Sequence, residues 1–246
     1  MVGSRDSVAA PNVVLNTIVA ESFSDACDVL EKAEDFDLAV HDLIKEYASK
    51  HQRIVFNGNG YSDEWVKEAE RRGLPNIKTM VESIECLTYD NAVEMFEKFD
   101  VFSRAELESR AEIKYETYNK AINIEALTMI DMAKKKYIPT CIAYTKELCD
   151  AVAVKKSLEI CPCVEKELAE KVSGLTKDAY TATNKLEEAV AAAAAKDSCV
   201  LDMAKSYREE VIPVMDALRA AVDGLEVILP SCKWPVPAYS DIIFNV

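Results

Sequence analysis

The most regular pattern of hydrophobic and polar positions in the chain runs from residue 103 to about residue 136. Apolar side chains recur there at steps of three and four residues, the spacing of one face of an α-helix. That face consists of Leu107, Ala111, Tyr115, Tyr118, Ile122, Ala126, Met129 and Ala133. A second apolar stripe joins it over the C-terminal half, so other segments must cover this helix on more than one side. At about 1.5 Å per residue, the helix would be roughly 50 Å long.

The two ends of this predicted helix carry residues that helix termini favour. Ser103 is a good N-cap, and Glu106, three residues later, completes a reciprocal capping box. The three lysines at 134–136 suit the negative end of the helix dipole. Because Pro139 follows, the chain either kinks there or begins a new helix with proline in its first turn.

Two further amphipathic stretches lie at residues 164–195 and 197–229. Each repeats its apolar residues at threes and fours, and only a short tip at residues 196–198 separates them. Long helices joined by a short loop are forced to be antiparallel neighbours. Pro213 should bend the second stretch. The pattern therefore predicts a long antiparallel helical bundle over residues 103–229.

The first 102 residues show only short periodic segments. Pro11 suits the first turn of a helix, Asp35 and Ser62 are plausible N-caps, and Gly73 is a plausible stop signal. The predicted helices cover residues 11–32, 36–51, 62–73, 79–87 and 91–99, with a brief extended segment or element end at 53–56. The Trp/Pro-containing tail at 234–244 should lie extended against a neighbouring surface. We therefore predict a mainly all-α fold, with short helices in a domain 1–102 and the bundle and tail in a domain 103–246.

Composition and charge narrow the possible partners. The 246 residues include 43 acidic and 29 basic side chains, for a formal net charge of −14. This charge argues against nucleic acid as the main partner. No apolar run approaches the ~20 residues of a membrane span, and the N-terminus lacks the layout of a signal peptide. We expect no membrane partner, a cytoplasmic location and reduced cysteines.

Three polar motifs of the first domain could carry chemistry, and each has a plainer interpretation. Residues 57–60, Asn-Gly-Asn-Gly, could cradle a phosphate, but they lack the Gly-Lys-Ser/Thr of a P-loop and the βαβ surroundings of a dinucleotide loop. A turn is favoured there. His41 and His51 could act as general bases, but no nucleophile motif accompanies them, so a surface or interface role is favoured. Arg71 and Arg72 could clamp an anion but stand isolated.

Cys161 and Cys163 flank a proline and could bind a metal or form a redox pair. Zinc needs four nitrogen or sulfur ligands, and no CxxC partner or histidine pair follows. We interpret both cysteines as small buried apolar groups, and the acid pairs at 187–188 and 209–210 as solvated helix faces. The residues thus predict no catalytic, cofactor-binding or metal-binding side chain. On this pattern alone the chain is a helical interaction or structural module.

Several unusual strings resemble segments of glutamine synthetases. Residues 7–21, SVAAPNVVLNTIVAE, are similar to the segment that follows the last catalytic strand in that family. Residues 56–76, FNGNGYSDEWVKEAERRGLPN, resemble a stretch of the long, type III form. The same holds for residues 107–110 (LESR), 123–134 (NIEALTMIDMAK) and 234–244 (WPVPAYSDIIF). Their order and spacing fit end to end, so the resemblance covers essentially the whole chain.

The resemblance implies the C-terminal part of a type III glutamine synthetase. That enzyme joins ammonia to glutamate at the expense of ATP, with two divalent metals, magnesium or manganese. The resemblance places its catalytic motifs mainly in a β-barrel upstream of Met1, so no catalytic residue carries over; Arg5 and Asp6 lie nearest that barrel without an assignable role. The implied partners are the barrel and the sister subunits of a homo-oligomer, and the chain by itself is not expected to be catalytic. The alternative is a free-standing α-helical protein-interaction module.

Overall fold

The computed structural model describes residues 7–237 and 239–243. Over these residues the chain forms helices and turns and no β-strand, which confirms the predicted all-α fold class. Arg5 and Asp6 lie outside the described residues. The chain divides into two compact units, residues 1–111 and 112–246. The division into domains predicted at residues 102 and 103 stays a prediction.

The first unit is a succession of short helices, as the sequence pattern predicts. They are α1 (Ala9–Leu30), α2 (Phe36–Lys50), α3 (Asp63–Arg71), α4 (Met80–Glu85) and α5 (Asp90–Lys98), with 3₁₀ turns at Gln52–Ile54 and Cys86–Thr88. The segment predicted to be briefly extended therefore begins inside a 3₁₀ turn and is extended at Val55. The core around α5 is small and consists of Val93, Phe96 and Leu107.

Side-chain caps define where several of these helices begin. The Asp35 carboxylate accepts a hydrogen bond from the Leu38 amide at 3.1 Å, and Ser62 caps α3 in the same way. The predicted capping box forms at the start of α6 (Arg104–Met132): the Glu106 amide donates to Ser103 Oγ at 3.4 Å, and the Ser103 amide donates to Glu106 Oε2 at 2.8 Å. These local signals are confirmed because they depend on residues only three positions apart.

Long helical segments pack as the predicted antiparallel bundle. In the first, α6 runs through a π-helical turn (Ala133–Tyr137) into α7 (Ile138–Ser157), which gives a continuous helix of 54 residues. The second is α8 (Cys163–Ala194), which packs against both of its neighbours. The third comprises α9 (Val200–Ser206), a π-helical turn (Tyr207–Val211) and α10 (Ile212–Glu226).

The prolines within the bundle are accommodated by π-helical turns. Pro139 and Pro213 each lie two residues after such a turn. Proline donates no backbone hydrogen bond and would clash with the carbonyl four residues before it. The wider i→i+5 pattern of a π turn changes the positions of those carbonyls. The helix continues through Pro139, which lies in the first turn of α7.

Small residues on α8 let it approach two neighbours closely. Ala179, Ala193 and Leu186 are completely buried on this helix. Thr183 is also buried, and its hydroxyl donates to the Ala179 carbonyl at 2.7 Å. The central helix of the bundle is therefore covered by α7 and α10 along much of its length.

The chain after α10 returns to the bundle. A 3₁₀ turn (Ser231–Lys233) leads to Trp234, which is buried and stacks on Tyr137 at 5.2 Å between ring centroids. A short helix, α11 (Tyr239–Ile243), follows. Because Ala238 and Phe244 lie outside the described residues, the extended tail stays a prediction.

Three helices end with a residue in the left-handed conformation. Gly73, Asp100 and Glu159 have φ values of 69°, 51° and 58°. After α7, the Ile160 amide donates to the Lys155 carbonyl at 2.9 Å, the long hydrogen bond of a Schellman motif. Glycine adopts this conformation without strain, whereas other residues cost roughly 1–2 kcal/mol.

We therefore expect Glu159→Gly and Asp100→Gly each to raise the free energy of unfolding by about 0.5–1 kcal/mol. The gain is partial because glycine also increases the conformational freedom of the unfolded chain. Urea unfolding followed by circular dichroism measures it. Gly73→Ala is the matched control and should be destabilising. A loss of stability in both glycine variants would contradict the prediction.

Candidate assembly surface

The Asn-Gly-Asn-Gly motif forms a turn held by its own side chains. Asn59 Oδ1 accepts a hydrogen bond from the Tyr61 amide at 3.0 Å. Phe56, just before the motif, stacks on Trp65 of α3 at 4.2 Å between ring centroids. A Cβ atom at Gly58 would lie 2.6 Å from the Phe56 ring, so the glycine permits this stacking. The contacts are those of a packed turn.

Arg71 and Arg72 both bind the Glu68 carboxylate of the same helix. Both guanidinium groups donate to the Glu68 carboxylate, Arg71 Nε at 2.7 Å and Arg72 Nε at 2.5 Å. Arg72 also donates to the Val55 carbonyl at 2.8 Å and lies over the Trp65 ring. Arg72 thus ties α3 to the preceding turn, whereas the Arg71 contact stays within α3.

The hydrogen bonds from Arg71 and then Arg72 lower the pKa of Glu68 from 4.5 to about 2. Because the pKa of the folded state is below the ordinary value, this carboxylate stabilises the fold fully above pH 4.5. Its contribution is lost as the pH falls from 4.5 through 2. We expect a carbon-detected NMR titration to show Glu68 titrating near pH 2. In Arg71→Ala the midpoint should move toward 4.5, and an unchanged midpoint would contradict the assignment.

The two histidines lie on one helix but make no catalytic arrangement in the structure. His41 is exposed on α2, with its Nδ1 3.3 Å from Asp42 Oδ1. His51 follows the end of α2 and meets the Tyr47 ring edge-on at 6.0 Å. Both contacts are local to α2 and the residue after it.

The acidic pairs of the bundle are partly engaged by lysines. Glu187 forms an ion pair with Lys134. Glu210 accepts a hydrogen bond from Ser206 at 2.7 Å and lies 3.3 Å from Lys196. These contacts join neighbouring segments at the bundle surface.

Cys161 and Cys163 differ from the sequence prediction. Both side chains are exposed, and their sulfur atoms are joined in a disulfide. The interpretation as small buried apolar groups is therefore wrong, and so is the expectation of reduced cysteines at these two positions. The physical reason is position: the two residues form the turn between α7 and the start of α8, outside the buried face of either helix.

Within residues 7–237 and 239–243, no group of three or more His, Cys, Asp or Glu side chains could hold a metal ion. No helix in the same residues has both the length and the hydropathy to cross a bilayer.

Helix α1 carries apolar side chains on two opposite sides. One side belongs to the first unit: Val13 and Val14 pack against the core around Phe96, and Thr17 is buried. The opposite side is exposed along most of the helix. We call it the exposed α1 face, and it consists of Leu15, Ile18, Val19, Phe23 and Val29.

The exposed α1 face is continuous. At 100° per residue, its members fall within an arc of about 140° on the helix. Phe23 is 68% exposed and Leu15 is 58% exposed. A helix that is apolar all round is normally buried on all sides, and a contiguous apolar patch marks an interaction site. The face is the strongest candidate for a functional surface on the chain.

The next helix adds to the apolar surface of the first unit. Phe36, Leu38 and Ile44 of α2 are all more than half exposed. α2 has no fully buried residue, in contrast to α8. The first unit thus leaves a large share of its apolar side chains uncovered.

Fold and surface together define a helical packing domain, whose exposed apolar side chains suit contact with another protein or domain.

Residues 39–156 match the family model described as glutamine synthetase C-terminal domain. A glutamine synthetase from Butyrivibrio fibrisolvens is 34% identical over 84% of this chain and 30% of its own length. The type-3 glutamine synthetase of Dictyostelium discoideum is 32% identical over 99% of this chain and 34% of its own length.

A glutamine synthetase of Bacteroides fragilis is 27% identical over 99% of this chain and 35% of its own length. The chain belongs to the glutamine synthetase family and corresponds to its C-terminal part, as the resemblance of its sequence strings predicted. It spans about one third of the length of these relatives.

Proposed function

We propose that the chain acts as the C-terminal helical region of an enzyme that ligates ammonia to glutamate with ATP. Its own role in that enzyme is to pack against the catalytic part and to provide contacts between subunits of a homo-oligomer. The relatives' names, including type-3 glutamine synthetase, support the activity of the whole protein. The assignment of the packing role rests on the exposed α1 face.

The physical argument starts from the cost of leaving this face in water. Burying a large apolar side chain contributes about 1.5–3 kcal/mol. The exposed α1 face has five such side chains, on a helix whose other side is already packed within the unit. A catalytic domain that covers it would gain that free energy. The relatives, about three times as long as this chain, contain protein that can do so.

ATP and the divalent metals, magnesium or manganese, belong in this proposal to other parts of the enzyme. Phosphoryl transfer needs metal ions and positioned cations around the transferred group. The described residues offer no metal-ligand cluster and do not fit these groups. In this proposal the residues that act on substrate belong to the rest of the enzyme.

We also propose a cytoplasmic location for the enzyme. Six cysteines of the chain, at positions 27, 86, 141, 149, 199 and 232, are free thiols. Free thiols are typical of proteins kept in a reducing compartment. These six thiols support the location independently of the family, whereas the Cys161–Cys163 disulfide does not.

The direct test is an activity assay on the chain alone. The purified 246-residue chain should give no ATP-dependent γ-glutamyl transfer to ammonia or hydroxylamine. The Dictyostelium type-3 enzyme serves as the positive control. Appreciable turnover by the chain itself would overturn the proposed role.

A chimera tests the packing role. We expect a type-3 glutamine synthetase that carries this chain in place of its own C-terminal third to be active. Val19→Lys with Phe23→Lys should lower that activity by at least about 100-fold, since uncompensated charges cost several kcal/mol on burial. Asn16→Lys with Cys27→Lys, on the same helix beside the face, is the matched control. Equal activity of the two double variants would contradict a covered α1 face.

A further inference from the structure

The turn between α7 and α8 holds a disulfide that the proposed function does not use. Cys161 and Cys163 flank Pro162, and both cysteine side chains are exposed. Every other cysteine of the chain is a free thiol. The chain thus combines a single accessible disulfide with a set of reduced cysteines.

This disulfide is poorly placed to act as a structural cross-link. It closes a loop of only three residues, and the stabilisation from a cross-link grows with the length of the loop it closes. The turn is also held by other contacts: the Schellman hydrogen bonds at Glu159 and Ile160 end α7, and Lys155 forms an ion pair with Glu165 of α8. Opening the S–S bond leaves all of these contacts in place.

The two sulfur atoms occupy different electrostatic environments. Cys163 is the first residue of α8, a helix of 32 residues, whereas Cys161 lies before it. The positive end of a helix dipole stabilises a negative charge within its first turn. A thiolate at a helix N-terminus is correspondingly a better leaving group. Cys163 is therefore the sulfur that leaves when the bond is attacked.

We propose that Cys161 and Cys163 form a thiol–disulfide exchange site that reacts with low-molecular-weight thiols of the glutathione class. A thiolate attacks Cys161 Sγ, and the S–S electron pair passes to Cys163 Sγ, which leaves as a thiolate. The mixed disulfide on Cys161 is then displaced by a second thiol. The net reaction converts one protein disulfide and two thiols into two protein thiols and one small-molecule disulfide. The same steps in reverse oxidise the pair.

The first experiment measures the redox equilibrium of the pair in the 246-residue chain. Cys27→Ser, Cys149→Ser and Cys232→Ser remove the other exposed thiols. The chain is equilibrated in buffers that range from glutathione alone to glutathione disulfide alone, then alkylated and weighed intact. The double variant Cys161→Ser/Cys163→Ser gives the background.

If the pair is an exchange site, the two thiols should appear and disappear together within this range of glutathione buffers. The helical circular dichroism signal should stay unchanged. Two free thiols that persist in glutathione disulfide alone would overturn the proposal. A bond that persists in glutathione alone would overturn it equally, because the disulfide would then be a structural cross-link.

The second experiment tests the roles of the two sulfurs. In the same background, Cys161→Ser leaves Cys163 as the single thiol, and Cys163→Ser leaves Cys161. Alkylation at pH 7 should be about tenfold faster for Cys163 than for Cys161, because a helix N-terminus favours the thiolate. Equal rates, or faster alkylation of Cys161, would overturn the assigned order of attack.

Discussion

Replacing Leu186 by alanine is expected to lower the free energy of unfolding of the bundle by about 3–5 kcal/mol. Leu186 is 0% exposed and lies on α8, the helix that packs against both α7 and α10. Truncation removes buried apolar area and leaves a cavity, since neighbours on two sides hold the surrounding backbone in place. The effect should be among the largest that a single substitution in this chain produces.

The sequence offers a clean way to measure this loss. Trp65 lies in the first unit and Trp234 in the second, and the chain has no other tryptophan. In a Trp65→Phe background, tryptophan fluorescence in urea therefore reports on the bundle alone. Leu158→Ala, at a leucine that is 63% exposed, is the control and should cost less than about 1 kcal/mol. Similar losses in both variants would contradict the predicted core.

Trp234→Ala should cost about 3–5 kcal/mol, the range for a buried aromatic residue. The indole is buried against the bundle and stacks on Tyr137, within the first π-helical turn. Its loss exposes that turn and releases the chain that follows α10. Because the variant removes the fluorescent reporter, circular dichroism at helical wavelengths is the measurement.

Trp234→Phe separates ring stacking from hydrogen bonding at the same site. Among the described residues, Nε1 of Trp234 is buried without a hydrogen-bond partner. Phenylalanine keeps an aromatic ring against Tyr137 and removes this polar group, whose burial is unfavourable. We expect the phenylalanine variant to lose at most about half of the stability that the alanine variant loses. Equal losses would show that the ring stacking contributes little.

The features that the sequence predicted well depend on neighbouring residues. The capping box of Ser103 and Glu106, and the cap at Asp35, involve partners three positions apart. The bundle followed from apolar spacing sustained over about thirty residues. In both cases the determining interactions are local or repeat many times, so tertiary structure has little opportunity to override them.

The features that the sequence analysis missed depend on geometry that no short pattern shows. Pro139 indicates a kink or a new helix with proline in its first turn, and neither alternative indicates the π-helical turn that precedes it. The exposure of Cys161 and Cys163 follows from where α7 ends and α8 begins. Arg71 and Arg72 lie three and four residues after Glu68, a spacing typical of ion pairs on a helix, so the sequence did carry a signal for this interaction.

The exposed α1 face was only partly predictable. The spacing of Val14, Leu15, Ile18 and Val19 predicts that they share one side of α1, but in the structure Val14 packs against the core around Phe96 and the other three are exposed. Which side the rest of the first unit covers depends on contacts with α5, which lies far along the chain. The signal that could have indicated an uncovered face is the presence of apolar residues on both sides of one helix.

The π-helical turns have a consequence for how this chain can change in length. Each turn holds one residue more than a regular α-helical turn over nearly the same rotation about the helix axis. Losing a single residue from 133–137 should therefore convert the turn to regular α-helix and leave the inward side chains of α7, such as Cys141 and Leu148, facing the core. A one-residue deletion within α7 itself has no such turn to absorb it, so it should rotate the residues after it by about 100° and be far more harmful. Because the regular helix would bring back the proline clash, the deletion in 133–137 should be tolerated best when Pro139 is replaced at the same time.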